Sequence, residues 1–332
     1  MSQFLEMNYR AIIGQALALR RTAQSVRPDD SVVTQGKHRI VLFGCGDSYG
    51  VAELGRWTFL SMGLNAVTLS PGETKYVQLT DQDLVIAVTA SGRSIELIEA
   101  LKMTKRNGVS TVVLTDNGEG MASDYADWLW LTKSGAESYN ISPSATTTSA
   151  MAYLLLVASQ IDGTHQQLKT DLDRLLDKAD DALQWAEAEG SRLAELVVPQ
   201  SALYMISEGP NLVAAQIGMM KYNEFGVAKG IAAIREEFKH HYVLSTGGTD
   251  SAVLILDTPS PRDQDYMNSL RKVLDARVYG LSASAALGLH SSLVQVIPNT
   301  MAMQMAAYHT VKRHSPSMMW FRQPNAQAFK IY

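Results

Sequence analysis

Two turns in this chain gather glycine and hydroxyl side chains directly after apolar runs, and their residue types suit the binding of an oxyanion. One is Thr89-Ala90-Ser91-Gly92-Arg93-Ser94, which follows Leu84-Val85-Ile86-Ala87-Val88. The other is Gly44-Cys45-Gly46-Asp47-Ser48, which follows Arg39-Ile40-Val41-Leu42-Phe43. Each apolar run reads as a short, fully buried strand of a parallel sheet. Each turn leads into a helical pattern: Tyr49 to Met62 in one case, and Ile95, Leu97, Ile98 and Leu101 within Ser94 to Arg106 in the other. Such a turn aims backbone N–H groups and hydroxyls at one point, beside the positive end of a helix dipole. A Ser or Thr N-cap in an ordinary strand-to-helix turn accounts for either turn taken alone. Two of them on neighbouring strands would wall one pocket at the carboxyl ends of an open α/β sheet, where such sheets bind ligands. Cys45 lies between two glycines with no companion motif, which suits a small buried turn residue better than a nucleophile.

The elements that position these turns follow an alternating pattern. Residues 1 to 36 read as a helix and a polar linker containing Pro28-Asp29-Asp30. Strands are expected at 39–43, 64–69, 84–88, 111–115 and 128–131, with helices between them, and Ala145 to Ile161 reads as a strongly apolar helix. An amphipathic helical connector over 165–196 is followed by a restart. Strands are expected at 202–206, 253–256, 278–281 and 293–296, with a helix from Leu212 and a closing apolar helix from Asn299 to Lys312. Duplication is the simplest account. It gives a first domain over 37–163, a connector over 164–199, a second domain over 200–316 and a tail over 317–332. The second copy's counterpart of the Ser-Gly-x-Ser turn is Asp257-Thr258-Pro259-Ser260-Pro261-Arg262-Asp263. Its prolines remove backbone donors and its aspartates would repel an anion, so the first copy is the one expected to hold it.

Composition narrows the function classes. The 332 residues are 46% hydrophobic and carry a net charge of −4, so no broad basic surface points to nucleic acid. The single cysteine excludes a disulfide framework within the chain. No apolar run approaches a membrane span, and a cytoplasmic, soluble protein is expected. The seven histidines are scattered without metal-ligand spacing. Tyr49 stands where a dinucleotide fingerprint would need its third glycine. No metal and no cofactor are therefore expected.

Gly44-Cys45-Gly46-x-Ser48, Ser91-Gly92-x-Ser94 and the stretch Glu137 to Thr148, in this order and spacing, resemble the sugar isomerase (SIS) family. The duplication is similar to its double-SIS members, namely the isomerase half of glucosamine-6-phosphate synthase and the fructosamine-6-phosphate deglycases. The resemblance runs from about residue 36 to the end. It implies an α/β fold of two tandem SIS domains, each a parallel-sheet three-layer α/β/α sandwich. In the second half, Lys221-Tyr222-Asn223-Glu224 and Glu237-Phe238-Lys239-His240 match the family's Lys-x-x-Glu and Glu-Leu-Lys-His, with His240 sixteen residues after Glu224 as in the family. Lys221 and Glu224 share one helix face, where a solvated ion pair would also place them.

The resemblance implies that Glu224 carries a proton between C1 and C2 of a sugar, work that a partly buried carboxylate suits. It implies ring opening by His240, a residue type that titrates near neutrality, reaching the neighbouring subunit's site in a homodimer with a shared active site. His241 stands where relatives usually carry glycine, so either histidine could face the site. Lys221 suits stabilisation of charge on a substrate oxygen. Arg322 to Lys330 resembles the tail that closes over the sugar, which makes Lys330 an electrostatic partner or an imine-forming amine; a frayed polar terminus is the alternative.

Ser48, Thr89, Ser91 and Ser94 fall on the family's phosphate-contacting positions, with Gly92 and Asp47 in the same turns, and Asn140 and Ser142 match positions that touch the sugar. Ala90 replaces a glutamine, Asp47 a threonine, and Arg93 a residue that is often acidic. Asp47 beside a dianionic phosphate is unfavourable unless Arg93 or a sugar hydroxyl offsets it. The sequence preceding the resemblance is too short for a glutaminase domain, and ammonia production from glutamine is not expected. The implied reaction is deamination of an amino-sugar phosphate or deglycation of a fructosyl-amine 6-phosphate. Plain aldose–ketose isomerisation uses the same residues, and a sugar-phosphate sensor would need only the anion turn.

Overall fold

Short runs rich in Val, Ile and Leu become strands here because they are buried on both faces, which a parallel sheet flanked by helices allows and an amphipathic strand does not need. The computed structural model describes residues 2–27, 36–135, 141–161, 166–274, 277–323 and 325–332. In chain order its elements are α1 (Gln3–Ile13), α2 (Gln15–Ala23), β1 (Arg39–Phe43), α3 (Asp47–Ser61), β2 (Ala66–Leu69), β3 (Asp83–Thr89), α4 (Ile95–Arg106), β4 (Ser110–Thr115), β5 (Trp128–Leu131) and α5 (Ala145–Ile161). There follow α6 (Gln166–Asp177), α7 (Ala179–Leu196), β6 (Ala202–Ser207), α8 (Leu212–Phe225), β7 (Lys229–Ile234), α9 (Arg235–His240), β8 (Ser251–Ile255), α10 (Pro261–Val273), β9 (Val278–Leu281), α11 (Ser284–Leu287), α12 (Ser292–His314) and α13 (Asn325–Ala328). No helix among the described residues is long and apolar enough to cross a membrane.

The chain divides into two compact units. One comprises Gly14–Leu176 with Gln323–Tyr332, and the other Met1–Ile13 with Asp177–Arg322. The helical stretch before β1 is thus shared out, α1 to one unit and α2 to the other. The expected connector is two helices, α6 and α7, assigned to different units.

The first unit holds a five-stranded parallel sheet in the order β2-β1-β3-β4-β5. Val41, Phe43, Val85, Ala87 and Val113 face α4, where they pack with Leu97, Ala100 and Leu101. Ile40, Leu42, Leu84 and Ile86 alternate to the other face and are equally buried; there Leu42 meets Leu154 of α5 beside Gly55 of α3. The second unit repeats the plan with four parallel strands in the order β7-β6-β8-β9. Tyr204, Ile206, Ala252 and Leu254 pack on Phe238 of α9 and on Met267 and Leu270 of α10. Met205 faces the other way, toward Met303 of α12, where the two meet beside Gly218 of α8. Each unit is therefore a three-layer α/β/α sandwich, and the strand order of the second is that of the first without its fifth strand.

Two expectations need correction. Leu293–Val296 is the first turn of α12, not a strand. From Leu293 to Tyr308 every residue of α12 is buried, so the helix has no polar face to betray its period, and Pro298 inside it imitates an element boundary. A strand that the sequence reading does not include, β7, pairs with β6 at the other edge of the sheet, and its Gly230-Ile231-Ala232-Ala233 core lacks the β-branched density that marks the other strands.

At the amino end of the first sheet, Arg39 and Asp83 are register partners on β1 and β3. Arg39 Nε and Nη2 donate to Asp83 Oδ1 and Oδ2 at 2.9 and 3.0 Å, and Thr80 N–H donates to Oδ2 at 2.8 Å. Burial pushes the Asp83 carboxyl up, but the bonds from Arg39 and Thr80 outweigh it and hold the carboxyl below its usual 3.8. Replacing Arg39 by Met leaves a buried carboxylate without its partner and should cost about 3 kcal/mol in urea unfolding at pH 7. Because the folded-state value is depressed, this difference should be fully present above pH 3.8 and vanish as pH falls through the lowered value.

Candidate functional site

The turn after β3 is fixed by its carbonyl groups. Ala90 O accepts from Thr115 Oγ1 at 3.2 Å and from Asp116 N–H at 3.3 Å. Ser91 O accepts from Asn117 Nδ2 at 3.0 Å, and Gly92 O from Ala122 N–H at 3.1 Å. Three successive carbonyls are thereby tied to the segment that follows β4. In a trans peptide the N–H points opposite to the preceding C=O, so the N–H groups of Ser91 and Arg93 are aimed away from that segment. Gly92 N–H is held by Thr89 Oγ1 at 3.1 Å. The two segments touch at Gly92, whose φ of +69° suits glycine, and at Gly120. A Cβ on Gly92 would lie 2.9 Å from Gly120 Cα, and a Cβ on Gly120 would lie 2.7 Å from Ser91 O.

The hydroxyls expected to line this turn are present around it. Thr89 and Ser91 are buried, while Ser48 and Ser94 are half-buried. Ser94 is the N-cap of α4 but does not bond the helix with its side chain; its Oγ lies 3.6 Å from Cys45 Sγ. That contact joins the turns after β1 and β3, as the strand pairing requires. Cys45 is exposed rather than buried, and partial desolvation pushes its thiol pKa up. Asp47 is buried, and its Oδ2 accepts from Thr147 Oγ1 of α5 at 2.8 Å. The aspartate that looked unfavourable beside an anion thus has a structural role, bracing α3 against the closing helix. Ser142 is buried just before α5, and Asn140 lies outside the described residues.

Neither Thr147 nor the segment Thr115 to Gly120 stood out in the sequence. The signal for the segment is its Asn117-Gly118-Glu119-Gly120 turn.

The end of the chain meets the same turn. Ile331 O accepts from Ile95 N–H, the first residue of α4, at 3.1 Å, and the Arg93 guanidinium lies 5.4 Å from the centre of the Tyr332 ring. Lys330, exposed and at φ +50°, immediately precedes that bonded carbonyl.

In the second unit the counterpart turn is closed on itself. Ser260 caps α10, Pro261 occupies its first position, and Asp263 Oδ2 accepts from Ser260 N–H and Oγ at 2.7 and 2.6 Å. The helix end already carries its own carboxylate. Asn211, in the position corresponding to Asp47, accepts from Asn299 of α12 at 2.9 Å, which repeats the brace in amide form.

Lys221 and Glu224 are neighbours on α8. Lys221 Nζ lies 3.1 and 3.3 Å from Glu224 Oε2 and Oε1. The Lys221 side chain is only 2% exposed and that of Glu224 is 32% exposed, so this is no solvated surface pair. A buried ammonium is placed under a carboxylate that still reaches solvent. His240 ends α9 at 69% exposure, with Nε2 3.1 Å from Glu236 Oε1; His241, 54% exposed, lies 3.5 Å from Glu237. The structure brings Lys221 to Glu224, keeps Thr89, Ser91, Gly92 and Ser94 together in the turn after β3, and joins that turn to the one holding Ser48 through the Cys45–Ser94 contact. His240 and His241 each meet a glutamate one helical turn back.

Residues 35–159 match the SIS domain family. Glutamine–fructose-6-phosphate aminotransferase (isomerizing) from Sulfurisphaera tokodaii is 23% identical over 80% of this chain and 46% of its own length. The chain spans about half the length of such curated relatives. Among solved structures, glucosamine-6-phosphate deaminase from Thermotoga maritima superposes with a TM-score of 0.78 at 13% identity, covering 96% of this chain and 97% of that one. Tagatose-6-phosphate ketose/aldose isomerase from Escherichia coli does so with 0.74 at 16%, covering 93% and 94%. At these identities the likeness is one of fold. The match to the SIS domain is thus confined to residues 35–159, and the chain as a whole has the fold of these solved structures. In sequence it is similar to the isomerizing glutamine–fructose-6-phosphate aminotransferases over about half of their length.

Gly120→Ala should destabilise the chain by about 1–3 kcal/mol in chemical unfolding, because its Cβ meets backbone that cannot yield. Gly118→Ala, whose Cβ meets the side chains of Leu131 and Leu129 rather than backbone, should cost clearly less.

Proposed function

We propose that the chain is a phosphosugar enzyme in which the turns after β1 and β3 hold the phosphate and Glu224 carries the proton. The observation that carries this reading is the Lys221–Glu224 pair. The buried Lys221 ammonium orients a carboxylate that still reaches solvent, and a group that must take and return a proton has to be both positioned and accessible. Ser48, Thr89, Ser91, Ser94 and the N–H groups of the β3 turn supply donors at a helix N-terminus for a phosphate. Ser142 and Asn140 are assigned to the sugar, Lys221 to the substrate oxygen on which charge develops, and His240 to ring opening. The exposure of His240 is compatible with its serving a second copy of the chain in a homodimer. Lys330 is assigned to the open-chain carbonyl.

The finer reading is isomerisation with C–N cleavage. For an amino-sugar 6-phosphate, Glu224 takes the C2 proton of the open-chain form and returns it to C1. The C2 amine becomes an imine, and water then adds to it and releases ammonia, leaving the ketose phosphate. For a fructosyl-amine 6-phosphate the proton moves from C1 to C2, and hydrolysis of the resulting C1 imine releases the amine. Plain aldose–ketose isomerisation stops before any C–N bond breaks.

The test is NMR in D2O with glucosamine 6-phosphate, fructoselysine 6-phosphate and fructose 6-phosphate. Wild type should exchange deuterium into C1 or C2 with release of ammonia or amine, and Glu224→Gln should lower the rate at least about a hundredfold. Exchange without amine release would assign the simple isomerase. Stabilisation by a sugar phosphate without exchange would assign a sensor.

A further inference from the structure

The first unit has a crevice that the proposed chemistry does not use. It measures about 670 Å³ and lies at the carboxyl ends of β4 and β5, the end of an open α/β sheet at which ligands bind. Asp116 follows β4, Thr132 and Lys133 follow β5, and the end of α2 supplies Arg21, Gln24 and Ser25. We propose that this crevice binds a small hydroxylated carboxylate, with Arg21 and Lys133 taking the carboxylate group and Asp116 a hydroxyl. The proposal stands apart from the reading that the turn after β3 holds a phosphate.

The walls of the crevice are fastened together. Lys133 N–H donates to Thr22 Oγ1 of α2 at 2.9 Å, and Ser25 Oγ donates to Leu131 O of β5 at 2.7 Å. Asp116 is oriented through one oxygen: Thr132 Oγ1 and Ser134 N–H donate to its Oδ1 at 2.7 and 2.8 Å. No hydrogen bond from a described residue reaches Oδ2, which leaves it to a donor on a ligand. Asp116 N–H donates to Ala90 O at 3.3 Å, so the crevice adjoins the tied side of the β3 turn, opposite to the side on which its donors are free. The Arg21 and Lys133 side chains are exposed and make no ion pair among the described residues. One such cation on a surface is ordinary; here two share a crevice with an oriented carboxylate.

These charges select the ligand. Two cations and one carboxylate leave a single positive charge, which a monoanion balances and a phosphate dianion exceeds. The planar guanidinium of Arg21 matches a carboxylate in bidentate geometry. A carboxylate oxygen such as Asp116 Oδ2 accepts, so the ligand must bring an O–H to it. Gln24, Ser25 and Thr132 continue the polar lining, and no aromatic side chain lines the crevice to stack a base. The volume falls in the range of small-molecule sites, about 300–1,000 Å³, and suits a hydroxy acid or a sugar acid.

The experiment is hydrogen–deuterium exchange of residues 18–25 and 130–135 during titration with glucuronate. The comparators are acetate, which has the charge without the hydroxyls, glucose, which has the hydroxyls without the charge, and glucose 6-phosphate, the dianion. Glucuronate should slow exchange of both segments, and each comparator should need a concentration at least about tenfold higher, the loss of one charge-assisted hydrogen bond. Arg21→Ala combined with Lys133→Ala changes only exposed side chains and should weaken glucuronate at least about tenfold. Asp116→Asn keeps the Oδ1 acceptor that Thr132 and Ser134 use and replaces Oδ2 by a donor, so it should weaken glucuronate and not acetate. Glucuronate without effect on either segment, slowing that survives the double substitution, or tighter binding of glucose 6-phosphate than of glucuronate at these segments would overturn the proposal. Exchange of residues 89–96 in glucose 6-phosphate reports on the phosphate reading separately, so either can fail without the other.

Discussion

The approach of Gly92 to Gly120 is the constraint on which the candidate site depends. Two backbone segments come within contact distance there because neither carries a Cβ. That proximity lets the residues after β4 bond the carbonyls of Ala90, Ser91 and Gly92. With its acceptors tied off on one side, the turn is left with donors on the other, which is the polarity an anion site requires. The hydroxyls of Thr89, Ser91 and Ser94 add to donors that the backbone has already oriented.

The two α/β units show how one plan serves two purposes. Both brace the start of the helix after their first strand against a long closing helix, through Asp47 and Thr147 in one and through Asn211 and Asn299 in the other. They differ at the next strand. In the first unit, α4 begins without a bond from its N-cap side chain. In the second, α10 begins with Pro261 and a capping box closed by Asp263, which also pairs with Arg235. A helix end neutralised by its own carboxylate has little left to offer a ligand anion. The second unit carries instead a buried lysine beneath a half-exposed glutamate.

Much of the fold was legible because buried parallel strands announce themselves as short Val- and Ile-rich runs. The first sheet's strands and α5 stand where the sequence puts them. The failures share one physical cause, since a fully buried helix and a fully buried strand look alike over four residues. Leu293–Val296 belongs to a helix buried almost to its end, and Pro298 within it looked like a boundary. β7 went unseen because Gly230, Ala232 and Ala233 give an edge strand little propensity. At the site, the Ser-Gly-x-Ser turn and the Lys221–Glu224 pair were readable from residue type and spacing. The burial of Lys221, the tie from Thr147 to Asp47 and the exposure of Cys45 were not, because each depends on how segments distant in sequence pack. Arg93 was visible only as a departure from the family pattern, and its contact with Tyr332 lies more than two hundred residues along the chain.

The central claim is that only one of two similar turns binds an anion. A crystal structure of the full chain with glucose 6-phosphate, read for the position of the phosphorus atom, tests it most directly. The account predicts the phosphate against Ser48, Ser91 and Ser94, with the segment Asp257 to Asp263 unoccupied. Phosphate at the Asp257 to Asp263 turn, or bound to the chain away from both turns, would contradict it.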